Sequence, residues 1–428
     1  MTDYIAIPPA KKVSGTVAAP PSKSATNRAL VLAAISDAAV EIARPLESED
    51  TRALGRCLAA MGARIEAAPE GLRVRGPLAG PEDREVTLDG GESGTAARFL
   101  AAVASATPGR FLLTGSARLC ERPVGELVLA LRSAGASIEY ARAQGHLPLA
   151  ISGGSLRSGR VAVDASRSSQ FLSALLLAAP AVRGGLEVIC AAGVASAPYV
   201  QTTIECLRAF GHDVSGDPSG REGIRVTRGA RPARRYEVPG DYSSALPLLA
   251  SAGAAGGRVT VTGLVFPSAD ADARALPVLE RMGLEVEAAS GAVSVRARRA
   301  NLRPVTVVAT DLPDAVPALA ALAALARGES RFEGIAHLRL KESDRIASLA
   351  ALLIAAGAGA RALEGSLVVQ GPAAPRAEGV RLPTFGDHRI AMAAALLSLA
   401  LPGLLIENPD CVSKSYPGFF RDLATIVA

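Results

Sequence analysis

One pattern limits the fold of this chain more than any other: an apolar helix ending in glycine recurs at nearly constant spacing. It reads Leu58-Ala-Ala-Met-Gly62, Leu131-Arg-Ser-Ala-Gly135, Leu207-Arg-Ala-Phe-Gly211, Leu279-Glu-Arg-Met-Gly283 and Leu353-Ile-Ala-Ala-Gly357. Those glycines stand 73, 76, 72 and 74 residues apart. Each suits the position just past a helix C-terminus, where the backbone turns left-handed and a Cβ would be penalised. A second set of helix starts keeps the same rhythm: Ser22-Lys-Ser-Ala-Thr-Asn27, Gly91-Glu-Ser-Gly-Thr95, Ser166-Arg-Ser-Ser-Gln170, Gly240-Asp-Tyr-Ser-Ser244, Leu312-Pro-Asp-Ala315 and Gly386-Asp-His-Arg389. Each runs into an Ala- and Leu-rich helical stretch, with short strand-like runs between. The unit is helix, strand, helix, strand, strand, in six copies.

By this rhythm the sixth terminal glycine would fall at about position 430, beyond Ala428. The N-terminus carries a spare pair of strand-like runs, Tyr4–Ile7 and Val13–Ala18, and both are expected to complete the sixth unit. The domains are then residues 22–239 and residues 1–21 with 240–428. Pro20-Pro21 and Pro239-Gly240 mark the two crossovers as stiff hinges. A chain of 428 residues with 49% hydrophobic content can bury two full cores. The fold class is α/β, three of these repeats in each of two domains.

Composition narrows the function. Met1-Thr2-Asp3-Tyr4 does not open a signal peptide, and Leu312–Arg327 is broken by Asp314 and Pro317 before it could span a bilayer. The expectation is a cytoplasmic protein without membrane contact. Five cysteines form no CxxC pair and there are four histidines, so a structural zinc site has little support. The net charge of +5 comes without Trp, with 4% aromatics and with scattered basic residues, Arg231–Arg235 being the nearest thing to a patch. That argues for a small anionic ligand and against nucleic acid.

The helix starts gather the polar chemistry. Helix N-termini favour anions, and Lys23, Arg28, Arg98, Arg122, Lys341, Arg345, Arg389 and Lys414 add full charges there. No P-loop and no G-x-G-x-x-G after a strand is present. Of 46 basic residues, Lys accounts for five, at 11, 12, 23, 341 and 414. Three of the five lie in the helix-start motifs, where a compact ammonium fits between two ligands as a planar guanidinium does not. Lys11 and Lys12 read as surface. Among the cations stand two carboxylates, Asp314 and Glu342, suited to proton transfer. Asp344 reads as a helix cap.

These motifs resemble the 5-enolpyruvylshikimate-3-phosphate synthase family of enolpyruvyl transferases. The likeness runs through Pro21-Ser-Lys-Ser-Ala-Thr-Asn-Arg-Ala-Leu30, Gly94-Thr95, Glu121-Arg-Pro-Val124, Ser168-Ser-Gln-Phe171, Ser196-Ala-Pro-Tyr199, Leu312-Pro-Asp-Ala315, Leu340-Lys-Glu-Ser-Asp-Arg345, Asp387-His-Arg389 and Val412-Ser-Lys-Ser415. It implies three βαβαββ repeats forming an inside-out α/β barrel in each domain, the first mainly on the shikimate 3-phosphate side and the second closing over phosphoenolpyruvate. The implied reaction moves the enolpyruvyl group of phosphoenolpyruvate to the 5-hydroxyl of shikimate 3-phosphate, in a monomer with no metal or organic cofactor. By position, Lys23, Ser24, Arg28, Ser168, Ser169, Ser196, Asp314 and Lys341 would hold shikimate 3-phosphate. Lys23, Gly94, Arg122, Gln170, Arg345, Arg389 and Lys414 would surround phosphoenolpyruvate. Asp314, Glu342 and Lys23 would be catalytic.

Glu92, Phe99 and His337 depart from residues common in that family, and a carboxylate at 92 calls for a partner such as Arg98. Two alternatives remain beside this reading: the related UDP-N-acetylglucosamine enolpyruvyltransferase, and an anion-binding protein without catalysis. The first opens with a Lys-Asn pair where this chain has Lys23-Ser24, and its mobile-loop Cys lies further before the Arg-Pro than Cys120 does. The second would need neither Asp314 nor Glu342.

Overall fold

The computed structural model describes residues 3–81, 84–268, 270–289, 291–374 and 378–427. These form two compact units, one of Pro21–Val238 and one of Met1–Pro20 with Pro239–Ala428. The fold is mixed α/β, and each unit holds three repeats.

In the Pro21–Val238 unit, three helices, Lys23–Ala34, Gly94–Ala106 and Ser169–Ala178, pack against one another. They carry almost no polar stripe, and nearly every residue in them is buried. Helices apolar all round are stable only when enclosed, and here four-stranded sheets supply the cover. Each sheet joins a parallel pair to an antiparallel hairpin. In the second repeat, for example, Glu85–Asp89 runs parallel to Gly109–Thr114, which pairs antiparallel with Leu149–Gly153 and then Ser137–Tyr140. The unit of Met1–Pro20 and Pro239–Ala428 repeats the design around Tyr242–Ala255, Val316–Leu325 and His388–Ala400, all of whose residues are buried. The second helix of most repeats is amphipathic and lies outside, as Glu49–Ala60 and Arg345–Ala355 do.

One expectation needs correcting. Of the two N-terminal strands, Tyr4–Ala6 alone completes the sixth repeat, pairing antiparallel with Leu404–Glu407. Val13–Ala18 instead leads the fourth repeat, parallel to Gly257–Leu264, and touches the sixth through a single bridge from Val13 to Val427. Arg235–Glu237 correspondingly leads the first repeat, parallel to Val40–Ala43. The reason is geometric. Each repeat needs a strand ahead of its buried helix, and the chain changes unit after that strand, so the two leading strands are exchanged.

The five terminal glycines all adopt positive φ, from +83° at Gly211 to +107° at Gly62. Their surroundings differ. A Cβ on Gly62 would find its nearest neighbour at 3.3 Å, whereas one on Gly211 would overlap the Arg231 carbonyl oxygen. Gly62→Ala is therefore expected to cost about 1–2 kcal/mol, the left-handed penalty alone. Gly211→Ala should add a steric cost of about 1–3 kcal/mol. Thermal unfolding of both variants beside the parent checks the order; equal shifts would mean the Arg231 loop yields freely.

Candidate active site

Each unit gathers one cluster of charged residues at the starts of its buried helices. In the Pro21–Val238 unit, Ser22 caps the first helix by accepting the Ala25 N–H at 3.3 Å. This sets Lys23 in the first turn, where its Nζ donates to Asp50 Oδ2 at 3.1 Å. Asp50 is 5% exposed and lies in the first turn of Glu49–Ala60, held by the Ser48/Thr51 capping box. The sequence reading missed it. Ser48-Glu-Asp-Thr51 announces a helix start, but which acid faces inward depends on contacts 27 residues away.

One turn on, the buried Arg28 donates to Thr203 Oγ1 at 2.8 Å, Ser24 O at 2.9 Å and Tyr199 O at 3.1 Å. Thr203 in turn donates to Ser173 at 2.9 Å. Tyr199 begins three residues after Ser196, which is buried and holds a left-handed φ of +57°. Such strain in a residue with a side chain persists only where its surroundings enforce it.

At the second helix start, Ser93 is the cap. A Cβ on Gly94 would lie 2.5 Å from Nη1 and 2.6 Å from Cζ of Arg122, and would also overlap Arg98. Glycine thus lets two buried guanidinium groups approach the backbone at one point. Arg98 donates to Gly94 O at 3.1 Å, Gln170 Oε1 at 3.0 Å and Pro123 O at 3.0 Å. Gln170, beside the cap Ser168 and the buried Ser169, donates to Thr95 Oγ1 at 3.0 Å. The exposed Glu92 lies at the rim of this loop.

The second cluster centres on Arg345, whose side chain is 1% exposed. Its Nε donates to Asp387 Oδ2 at 2.8 Å, Nη1 to Asp314 Oδ1 at 2.6 Å, and Nη2 to Glu342 Oε2 at 2.9 Å and Asp387 Oδ1 at 3.4 Å. With five N–H groups on a guanidinium, one on Nη1 has no side-chain or backbone acceptor among the described residues. Asp387 also caps the helix His388–Ala400 and accepts from Ser343 at 3.1 Å. The sequence reading took Asp387 for part of a helix-start motif and no more, because a cap gives no sign of a second partner. Asp344 caps the helix Arg345–Ala355, as expected, by accepting the Ala347 N–H.

Asp314 stands two residues ahead of its helix and has two further cations near it. Lys341 Nζ is 4.0 Å from Oδ1 and Arg389 Nη2 is 3.7 Å from Oδ2. Burial opposes ionisation of Asp314, but Lys341, Arg345 and Arg389 outweigh it and hold the carboxyl far below the usual range. Arg389 donates to Ser243 O at 2.6 Å, while its buried Nε has no partner among the described residues. Burial works against its charge as well, and Asp314, Asp241 and Asp272 overcome that. His337 is pushed down to about 4 by burial and by Lys341, so its imidazole is neutral at pH 7. Lys414 is buried at the end of the turn Pro409–Lys414, which packs on His388–Ala400.

The architecture and the two cation-rich clusters define an α/β protein of the enolpyruvyl transferase fold. An enolpyruvyl transferase from Streptomyces tendae superposes with a TM-score of 0.76 over 99% of this chain and 97% of that one, at 21% identity, which speaks to the fold alone. EPSP synthase from Acinetobacter baumannii superposes with a TM-score of 0.78 over 99% and 98%, at 26% identity. Residues 7–423 match the family of EPSP synthase (3-phosphoshikimate 1-carboxyvinyltransferase), and the chain belongs to that family. A 3-phosphoshikimate 1-carboxyvinyltransferase from Methanoculleus marisnigri is 42% identical over 417 residues, 96% of each chain. One from a Sulfurovum species is 36% identical over 427 residues, 99% of each.

The Lys23–Asp50 pair gives a test of the first cluster. Asp50→Asn keeps the shape and removes the charge, so kcat/KM should fall by about ten- to a hundredfold, the worth of one charge-assisted hydrogen bond. Added to Lys23→Ala, the same change should do little more, since the partner is already gone. Additive losses in that double-mutant cycle would show that Asp50 does not act through Lys23.

Proposed function

We propose that this chain transfers the enolpyruvyl group of phosphoenolpyruvate to the 5-hydroxyl of shikimate 3-phosphate, giving 5-enolpyruvylshikimate 3-phosphate and phosphate. The observation that carries catalysis over mere anion binding is Asp314. It is a carboxylate kept ionised among Lys341, Arg345 and Arg389, with Glu342 on the same guanidinium. A protein that only bound anions would weaken its own site by placing two carboxylates there. The names of the full-length relatives favour shikimate 3-phosphate over a UDP-sugar as acceptor.

In this reading Ser24, Arg28, Ser168, Ser169 and Ser196 hold shikimate 3-phosphate together with Lys23, Asp314 and Lys341. Gly94, Arg122, Gln170, Arg345, Arg389 and Lys414 surround phosphoenolpyruvate, and Lys23 borders both. Asp314 accepts the hydroxyl proton as the oxygen attacks C2, and Glu342 protonates the methylene carbon. The tetrahedral adduct then returns a methyl proton to Glu342 and expels phosphate, which leaves with the proton held on Asp314, restoring the enol ether. A carboxylate held far below its usual range is a weak base. An arriving phosphate or carboxylate shares Lys341, Arg345 and Arg389, and so raises the basicity of Asp314 once substrates are bound. Every step is a proton transfer, an addition or an elimination at carbon, so no redox carrier is called for. We place the reaction in a monomer in the cytoplasm; among the described residues no helix is long and apolar enough to cross a membrane.

Phosphate release from phosphoenolpyruvate tests the assignment. It should require shikimate 3-phosphate and be absent with UDP-N-acetylglucosamine; the reverse pattern would move the chain to the other enolpyruvyl transferase. Lys23→Arg keeps the charge but not the compact donor, and turnover should drop by about ten- to a hundredfold. A rate within about a factor of three of the parent would remove Lys23 from the mechanism, because so small a change is under 1 kcal/mol.

A further inference from the structure

The sheet of the fourth repeat sets two arginines face to face beside a cationic pocket. On its solvent side, register aligns Ser14, Arg258, Arg296 and Glu285 in one row across four strands, all exposed. The comparable row of the first repeat alternates in sign, Arg235, Glu41, Arg73 and Glu66, and Arg235 pairs with Glu41 at 2.6 Å. The third repeat likewise sets Glu187 between Arg160 and Arg225. In the fourth, Arg258 and Arg296 face each other directly, as Arg64 and Arg75 do at one end of the first repeat's sheet, which is unfavourable across a sheet unless a counter-charge is present. Arg258 leans to Glu287 in the next row, at 2.8 Å. Arg296 has no side-chain hydrogen bond or ion pair among the described residues.

Two more cations extend the same face. Arg298 continues the extended backbone two residues beyond Arg296, with φ of −111° and ψ of 124°, and so alternates to its side. Lys12 stands two residues ahead of Ser14. Neither makes a side-chain ion pair among the described residues. Together the four cations line a pocket of about 610 Å³, to which Ser14 and Asn301 add neutral polar groups and Glu285 a single carboxylate. The turn that places Asn301 is pinned by Arg299, which donates to Ala400 O at 2.7 Å.

We propose that this pocket binds a small phosphoryl-bearing metabolite, at a site that shares no residue with the two clusters described above. Guanidinium forks match phosphoryl oxygens two at a time. The volume falls within the range of small-molecule pockets, about 300–1,000 Å³. No aromatic side chain lines it to stack a base, which sets it apart from single-stranded nucleic-acid grooves.

Calorimetric titration of the full chain with pyrophosphate tests this. The parent should bind one equivalent more than Arg296→Ala/Arg298→Ala, or bind it at least about tenfold more tightly, since charge-assisted contacts are lost. Arg389→Ala should retain that equivalent, which separates it from anion binding at the Arg345 cluster. Arg296→Lys/Arg298→Lys should bind pyrophosphate more weakly than the parent but more tightly than the double-alanine variant, since the charge is kept and the bidentate fork is lost. Coincident isotherms for the parent and the double-alanine variant would overturn the proposal. So would an oligothymidylate that outcompetes pyrophosphate with affinity growing with its length, the signature of a nucleic-acid surface.

Discussion

The inner helices of both units have no polar face, and this constrains everything polar in the molecule. A helix such as Tyr242–Ala255 or His388–Ala400, buried along its whole length, can meet solvent or ligand only at its ends. Its N-terminal N–H groups need partners, and its macrodipole favours negative charge there. Five of the six starts satisfy part of that need with a side-chain cap: Ser22, Ser93, Ser168, Asp241 and Asp387. The helix Val316–Leu325 has none. Asp314, just ahead of it, accepts from Arg345 instead.

The two clusters solve the cost of burying charge in different ways. Around Arg345 the named groups balance, with Lys341, Arg345 and Arg389 against Asp314, Glu342 and Asp387. Removing one member would strand a buried charge, a larger penalty than the pairing itself is worth. Around Gly94 and Lys23 the balance leans positive: Lys23, Arg28, Arg98 and Arg122 accompany a single buried acid, Asp50. Backbone carbonyls and the amide of Gln170 take up part of that charge.

The exchange of leading strands ties the ends of the chain into this scheme. Val13–Ala18 buries Val13 and Val17 in the core, although Ala18 and Gly257 stand 239 positions apart in the sequence. Its parallel pairing also creates the row that brings Ser14 beside Arg258. The same exchange puts Arg235 opposite Glu41 in the first repeat. Charge patterning on the outer sheet faces is thus a product of the topology as much as of the local sequence.

The repeat, its helix ends and most of the charged candidates were legible from the sequence, because glycine spacing, caps and apolar periodicity are local signals. Lys23, Asp314, Glu342, Arg345 and Arg389 stood out by residue type at helix starts, and the latter four do meet in one cluster. Asp50 and Asp387 did not stand out as site residues, since an acid at a helix start looks the same whether it faces water or a buried partner. Which strand leads which repeat was also hidden. Val13–Ala18 has the same alternation wherever it pairs, and only the enclosure of its buried face against Gly257–Leu264 decides. The sequence by itself determined the elements and the chemistry they carry. The tertiary structure decided which charges share a low-dielectric space, because that depends on contacts between residues tens to hundreds of positions apart.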